Sequence, residues 1–151
     1  MKKKLIFLAV AIVAGYSYLG NPYTSIPDRL QHSTFSESQG GADAAIADAF
    51  SNRKSNLQVS GEGVVTKLLP DDNVGSRHQK FIISLRSGQT LLIAHNIDVA
   101  PRIGSLRKGD SIQFSGQYEW NEKGGVVHWT HRDPNGSHVG GWLKHSGQIY
   151  Q

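Results

Sequence analysis

Histidine, arginine and tryptophan side chains concentrate in one short segment, residues 127–134, which reads Val-His-Trp-Thr-His-Arg-Asp-Pro. Imidazoles can transfer protons or bind a metal ion near neutral pH, and guanidinium groups can stabilise anions. His128 and His131 would lie on opposite faces of a regular strand, so a two-histidine metal clamp requires the strand to end near Thr130. Several imidazoles beside arginines in loops are hard to explain by packing, and we predict a functional surface here.

Two further polar groups occur where predicted strands begin or end. One is residues 76–80, and the other is residues 95–98, which are followed by an arginine at 102. The ends of barrel strands are frequent ligand sites. The aspartate at 98 fits a helix N-cap or an Asx-turn equally well. The candidate acid–base residues are His78, His95, His128 and His131, and the candidate ligand-binding residues are Arg77, Asp98, Arg102, Trp129, Arg132 and Asp133.

Several kinds of chemistry are excluded by what the chain lacks. It contains no cysteine, so disulfides, thiolate zinc sites and cysteine nucleophiles are ruled out. It also has no glycine-rich phosphate loop before a helix and no Gly-x-Ser-x-Gly motif, which argues against nucleotide-driven and serine-hydrolase chemistry. Any divalent metal ion would therefore be held by histidines together with Asp98 or Asp133.

The elements that must position these residues are mainly β-strands. Alternating apolar residues and turn signals predict a small five-stranded OB-like barrel, and an SH3-like barrel or a small sandwich fits the strand count nearly as well. Gly61 and Gly63 indicate a bulge or bend in the first strand. One short amphipathic helix, from Ala42 to about Arg53, precedes the barrel. The predicted strands cover residues 57–69, 78–86, 90–95, 111–118 and 126–131, with a further terminal strand at 148–150.

The N-terminus has the layout of a bacterial export signal. Three lysines, Lys2 to Lys4, precede an apolar run from Leu5 to Leu19 that is shorter than a comfortable membrane span. We expect residues 1–19 to be a cleaved signal, or else an uncleaved inner-membrane anchor, with the rest in the periplasm or secreted. Residues 20–41 are predicted to be a linker, and residues 42–151 a single domain.

The formal charge of +4 comes mostly from that N-terminal segment, because its three lysines are among 16 basic residues that face 12 acidic ones. The exported part is therefore nearly neutral. Its second half nevertheless carries most of the positive charge and six of the seven histidines. Net charge alone thus gives little support to a nucleic-acid-binding protein.

Five short sequence motifs resemble those of a known family. They lie at residues 68–72, 76–81, 94–98, 116–121 and 124–134, and the last is the most specific. Through them the chain resembles, over roughly residues 42–151, the bacterial family called domain of unknown function 3465, which comprises short exported proteins. The resemblance implies that the chain is related to this family. It suggests no activity, ligand or catalytic residue for the chain.

Three functions fit these patterns. The first is a non-catalytic OB-like module that binds a polyanionic or polymeric ligand, either nucleic acid or glycan, by aromatic stacking and basic groups. The second is a phosphodiesterase or nuclease that uses histidines as acid and base with arginines as a charge clamp. The third is a divalent-metal-binding protein. Convergence of the four candidate histidines in one pocket would favour the second or third, and dispersal would favour binding or structural roles.

Overall fold

A computed structural model describes residues 28–151, with side-chain environments from residue 40 onward, and residues 35–151 form one compact unit. The predicted export signal and the first part of the predicted linker lie outside the described residues. One helix precedes seven strands: α1 (Asp28–Ser51), β1 (Leu57–Leu68), β2 (His78–Ser84), β3 (Thr90–Asn96), β4 (Ser111–Glu119), β5 (Val126–His128), β6 (Trp142–His145) and β7 (Gln148–Tyr150). Within the described part of the chain, no helix has the length and hydropathy to cross a membrane.

The first five strands close into a barrel, which confirms the predicted mainly β, OB-like class. β1 pairs with β4 along its first two thirds and with β2 at its end, so the strand order β1-β2-β3-β5-β4 returns to β1. β3 and β5 are the parallel pair. The register of β1 shifts between Val65 and Lys67, and a bulge at this point lets one strand bend from one partner to the other. The irregularity predicted at Gly61 and Gly63 therefore lies slightly further along.

The barrel core follows the two-residue alternation of the strands, since every second side chain points inward. Phe81, Ile93, Phe114 and Tyr118 are fully buried there. The connection between β3 and β4 contributes further apolar side chains from Ile103 and Leu106 to the same cluster.

Helix α1 also contributes to this core through Ile46 and Ala49. The indole N–H of Trp120 donates to the carbonyl of Phe50 at 3.0 Å. The carboxylate of Asp43 accepts from the backbone N–H of Ser87 at 3.2 Å. The C-terminal half of α1 is therefore fixed to the barrel by apolar burial and by two hydrogen bonds.

The largest differences from the sequence predictions are in α1, β5 and β6. α1 is longer than the predicted helix, because it spans Asp28–Ser51 and so includes residues 28–41 of the predicted linker. It continues through Gly40 and Gly41 although each glycine costs a helix about 1 kcal/mol. The fifth strand ends at His128 instead of His131, and the strand β6 was not predicted. The terminal strand β7 is confirmed.

Candidate functional site

A single long loop carries four of the ten predicted site residues, namely Trp129, His131, Arg132 and Asp133. β5 and β6 pair with different parts of β4, and both lie on the edge of β4 opposite β1. Residues 129–141, here called the ring loop, connect them. Its two ends are close together, because the backbone N–H of Gly141 donates to the carbonyl of His131 at 2.8 Å. The ring loop therefore resembles a compact Ω-loop, a kind of loop that is frequently functional.

Two glycines make this close approach feasible. A Cβ atom at Gly141 would lie 2.2 Å from the carbonyl oxygen of Trp129 and 2.4 Å from that of Ser115. A Cβ atom at Gly116 would lie 2.5 Å from the carbonyl oxygen of His128. Since these neighbours are backbone atoms, larger residues at either position would push the ring loop away from β4.

Four aromatic rings of this region pack against one another and form what we call the ring cluster: His128, Trp129, His131 and His138. The ring of His138 is stacked on the indole of Trp129, with centroids 4.4 Å apart and an interplanar angle of 16°. His128 lies tilted beside the same indole at 4.8 Å. His131 meets His138 edge-on at 5.1 Å. Three candidate residues are thus brought together with His138, which the site prediction did not include.

Trp129 adopts a strained backbone conformation. Its φ of 51° places it in the left-handed region, which bulky residues rarely adopt. A residue held in this region raises the conformational energy of the folded chain by on the order of 1–3 kcal/mol, and such residues cluster at functional sites. The indole is half-buried, and none of the described residues accepts a hydrogen bond from its N–H.

Asp133 holds the tip of the ring loop in place. Its carboxylate accepts hydrogen bonds from the hydroxyl of Ser137 at 2.8 Å and from the backbone N–H groups of Asn135 and His138 at 2.9 and 2.6 Å. These bonds hold the pKa of Asp133 well below its usual range. The carboxylate also lies 3.9 Å from Nε2 of His138. Asp133 is accordingly an ionised residue that orders the loop and faces one imidazole.

His128 lies between Trp129 and a carboxylate on β4. Its Nε2 atom is 3.7 Å from Glu119, and this buried atom has no hydrogen-bond partner. Burial lowers the pKa of His128, although Glu119 opposes the effect. Burial acts to raise the pKa of Glu119, but hydrogen bonds from Gln117 and Ser55 outweigh it, and the pKa lies below its usual value. At neutral pH the pair is a neutral imidazole beside a carboxylate.

His95 lies inside the barrel, remote from solvent. One ring nitrogen is 3.1 Å from the carbonyl of Pro101 and the other is 2.8 Å from the hydroxyl of Thr130. Because the carbonyl can only accept, Nε2 carries the proton and Nδ1 accepts from the hydroxyl. Burial lowers the pKa of His95 to about 4. The ring therefore connects the β3–β4 connection to the end of β5 as a neutral group.

The remaining candidates lie in the β1–β2 and β3–β4 connections and at the first residue of β2. Arg77 pairs with Asp98 at 2.6 Å, and Arg102 pairs with Asp71 at 2.9 Å. The imidazole of His78 donates from Nδ1 to the carbonyl of Ser76 at 2.7 Å. Both arginines therefore have carboxylate partners instead of forming an open cationic clamp.

In the described part of the chain, the predicted histidines are not arranged as a metal-binding centre. Among the described residues, no group of three or more His, Asp or Glu side chains is arranged to hold a metal ion. The proposed arrangement of histidines with Asp98 or Asp133 around a divalent ion thus has no geometric support in this part of the chain. Arg132 is exposed beside the ring cluster.

The sequence prediction missed a row of polar side chains on the outer surface of β1 and β4. We call this row the polar strip: Gln58, Ser60, Ser115, Gln117 and Glu119. Gln58 lies opposite Gln117 and Ser60 opposite Ser115 across the two strands, and Glu119 follows at the end of β4. Ser115 is itself buried among its neighbours. Ser115 and Gln117 also lie opposite Trp142 and His128, respectively. The signal that could have found the strip is the polar residue at every second position of β4.

The closed five-stranded barrel, with its two added strands and preceding helix, defines a small OB-like barrel protein. A family model described as protein of unknown function (DUF3465) matches residues 30–151. The chain belongs to this family, which confirms the resemblance based on the five sequence motifs. No curated protein matches the chain.

Proposed function

We propose that this protein is a non-catalytic binding module that holds a polymeric ligand against the ring cluster. The observation that carries the proposal is Trp129, a large aromatic residue kept in the left-handed region with its indole at the surface. A glycine or asparagine would occupy this backbone conformation at lower cost. The indole N–H is available to a ligand, and OB-like barrels use aromatic side chains to stack on bases and sugars.

Location forms part of the same proposal. The three N-terminal lysines and the apolar run that follows them support export, which would place the module in the periplasm, outside the cell or at the outer side of the inner membrane. Polymeric ligands of the cell envelope would be accessible there.

Trp129→Gly tests the binding role directly, because glycine relieves the backbone strain while it removes the ring. We expect the variant to remain folded and to bind about tenfold more weakly, as is usual when a stacking residue is lost. Binding is measured by calorimetry at low salt with single-stranded DNA and with glycan fragments. Trp120→Phe is the matched control, since Trp120 contacts α1 away from the ring loop. Unchanged affinity of Trp129→Gly, or no binding to either polymer, would overturn the proposal.

A second candidate function, phosphodiester hydrolysis, rests on the orientation of two imidazoles. His131 and His138 each lie with Nδ1 against a backbone carbonyl, at 2.7 and 2.9 Å. Nδ1 must therefore donate, which leaves Nε2 as the basic atom. One Nε2 would accept a proton from the attacking water as its oxygen bonds to phosphorus, and a protonated partner would give a proton to the departing alkoxide.

The hydrolase candidate is tested by assays on DNA and RNA with and without divalent cations. It requires His131→Ala and His138→Ala to lose activity while they keep the wild-type circular dichroism spectrum. Absence of turnover by the wild-type protein would eliminate this candidate and leave the binding proposal in place.

A further inference from the structure

The polar strip is continuous with the ring cluster. Antiparallel pairing places Gln58 opposite Gln117 and Ser60 opposite Ser115. Residues directly opposite in such a pair have their side chains on the same face. The same rule places Trp142 beside Ser115, and His128 beside Gln117. Two aromatic rings therefore flank the strip, Trp142 beside Ser115 and His128 beside Gln117. Both rings lie on the outer surface.

The strip presents hydrogen-bonding groups that are already fixed in position. The amide of Gln117 donates to Glu119 at 2.5 Å and to Asn56 at 3.1 Å. The hydroxyl of Ser115 accepts from Ser60 at 2.9 Å and from the amide of Gln58 at 3.2 Å. Because these contacts restrict the side chains before a ligand arrives, less conformational entropy is lost on binding. Amides, hydroxyls and a carboxylate together can both donate to and accept from alcohol groups.

The charge of the five strip residues favours a neutral ligand, and the next position along the same face, Gln113, lies between one acidic and one basic residue, Glu62 and Lys144. The only ionisable side chain in the strip is Glu119, whose pKa lies below its usual value, so the strip carries one negative charge. A phosphate or sulfate group would be repelled there. Of the three arginines predicted to clamp an anion, Arg77 and Arg102 already pair with Asp98 and Asp71, and Arg132 lies in the ring loop, outside the strip.

Trp142 supplies the apolar surface that a sugar ring would contact. Its side chain is half-buried, and no described residue accepts a hydrogen bond from its indole N–H. From Ser115 to Glu119 the strip extends roughly 14 Å along β4, at about 3.4 Å per residue. This length exceeds that of a single sugar ring, which points to a chain of sugars.

We infer that the ligand of this module is an uncharged glycan chain, which lies along the polar strip beside Trp142 and the ring cluster. The inference rests on the proposed binding function and names its ligand class. The strip supplies hydrogen bonds to the sugar hydroxyls, Trp142 packs against one sugar face, and Trp129 contacts the chain further along.

The test uses neutral hexasaccharides of glucose and of N-acetylglucosamine, with oligothymidylate as the charged comparison, titrated into the full chain as purified. We expect a neutral hexasaccharide to bind with an affinity that does not change between low and high salt. Gln117→Ala and Trp142→Ala should each weaken binding about fivefold or more, the effect of losing one hydrogen bond or one ring contact. Gln89→Ala is the matched control, because Gln89 also donates to a neighbour, the carbonyl of Gly124, but lies outside the strip.

The outcomes separate the inference from the proposed function. Binding of oligothymidylate alone, weakened by salt and by Trp129→Gly, would overturn the glycan inference and leave the binding module standing. Glycan binding that Gln117→Ala and Trp142→Ala leave unchanged would place the chain elsewhere and would also overturn the inference. Failure of all the polymers to bind would overturn both.

Discussion

At the residue scale, histidines of the same type acquire different roles from their surroundings. His95 is fully enclosed and has a partner for each ring nitrogen. His131 and His138 instead lie in the ring loop, where they contact each other. Of these three, only the two histidines of the ring loop belong to the ring cluster around Trp129. Environment, and not residue type, therefore decides which histidine can contact a ligand.

The low pKa of His95 predicts a specific pH dependence of stability. Its pKa is about 4 in the folded protein, compared with about 6.5 when the chain is unfolded. Between these values the unfolded state binds the additional proton, so the free energy of unfolding rises with pH. The stabilisation by the neutral ring is complete above about pH 6.5 and is lost as the pH falls towards 4, by at most about 1.4 kcal/mol per pH unit.

Urea unfolding of the wild type and of His95→Gln across this pH range measures the effect. The variant should be less stable at neutral pH, since the ring contacts are lost, but its stability should change less between pH 6.5 and 4. Identical slopes for the two proteins would show that His95 does not carry the effect.

At the element scale, the ring loop depends on how closely it approaches β4. Gly141 begins the return to β6, and its backbone contacts both Trp129 and Ser115. The loop is thus ordered from three sides: by this contact, by the Asp133 carboxylate at its tip, and by the stacking of its rings. Order of this kind is what a binding loop needs in order to present aromatic groups without a large entropic cost.

Gly141→Ala should displace the ring loop. The added Cβ would meet two carbonyl oxygens at 2.2 and 2.4 Å, and we expect a loss of about 1–3 kcal/mol in the free energy of unfolding. Gly140→Ala is the neighbouring control, because its Cβ would have no contact closer than 3.7 Å, and the change should stay within about 0.5 kcal/mol. Chemical denaturation and tryptophan fluorescence report the two effects. Equal stability of the two variants would contradict the packing argument.

At the scale of the whole molecule, charge and export are linked. Three lysines at the N-terminus account for most of the formal charge of +4, so the part that we propose to be exported is almost neutral. Two arginines of that part are already paired with carboxylates. An uncharged ligand suits such a surface better than a strongly charged polymer, whose affinity usually depends on several unpaired cations.

Expression in a bacterium tests the proposed location. We expect the protein in the periplasmic, secreted or inner-membrane fraction, and we expect a variant without residues 1–19 to remain in the cytosol. Mass spectrometry of the mature N-terminus distinguishes a cleaved signal from an anchor. Recovery of soluble full-length protein from the cytosol would contradict the export proposal.

Local patterns were enough to predict the barrel and several of its strands. β2 and β3 begin at the predicted residues, since alternation and turn residues act over a few positions. Contacts between distant segments were not predictable in this way. The start of α1 and the strand β6 were missed, because helix propagation and pairing with β4 depend on the folded context.

The sequence alone determined the strand alternation, the near-neutral charge beyond the N-terminus and the chemistry of the histidine-rich segment. Only the tertiary structure decided which of those histidines meet. It enclosed His95 in the barrel and joined His128 and His138 through Trp129. It also aligned Gln58 with Gln117, although 59 positions separate them in the sequence. The physical reason is that alternation fixes which face a side chain occupies, whereas barrel closure fixes its neighbours on that face.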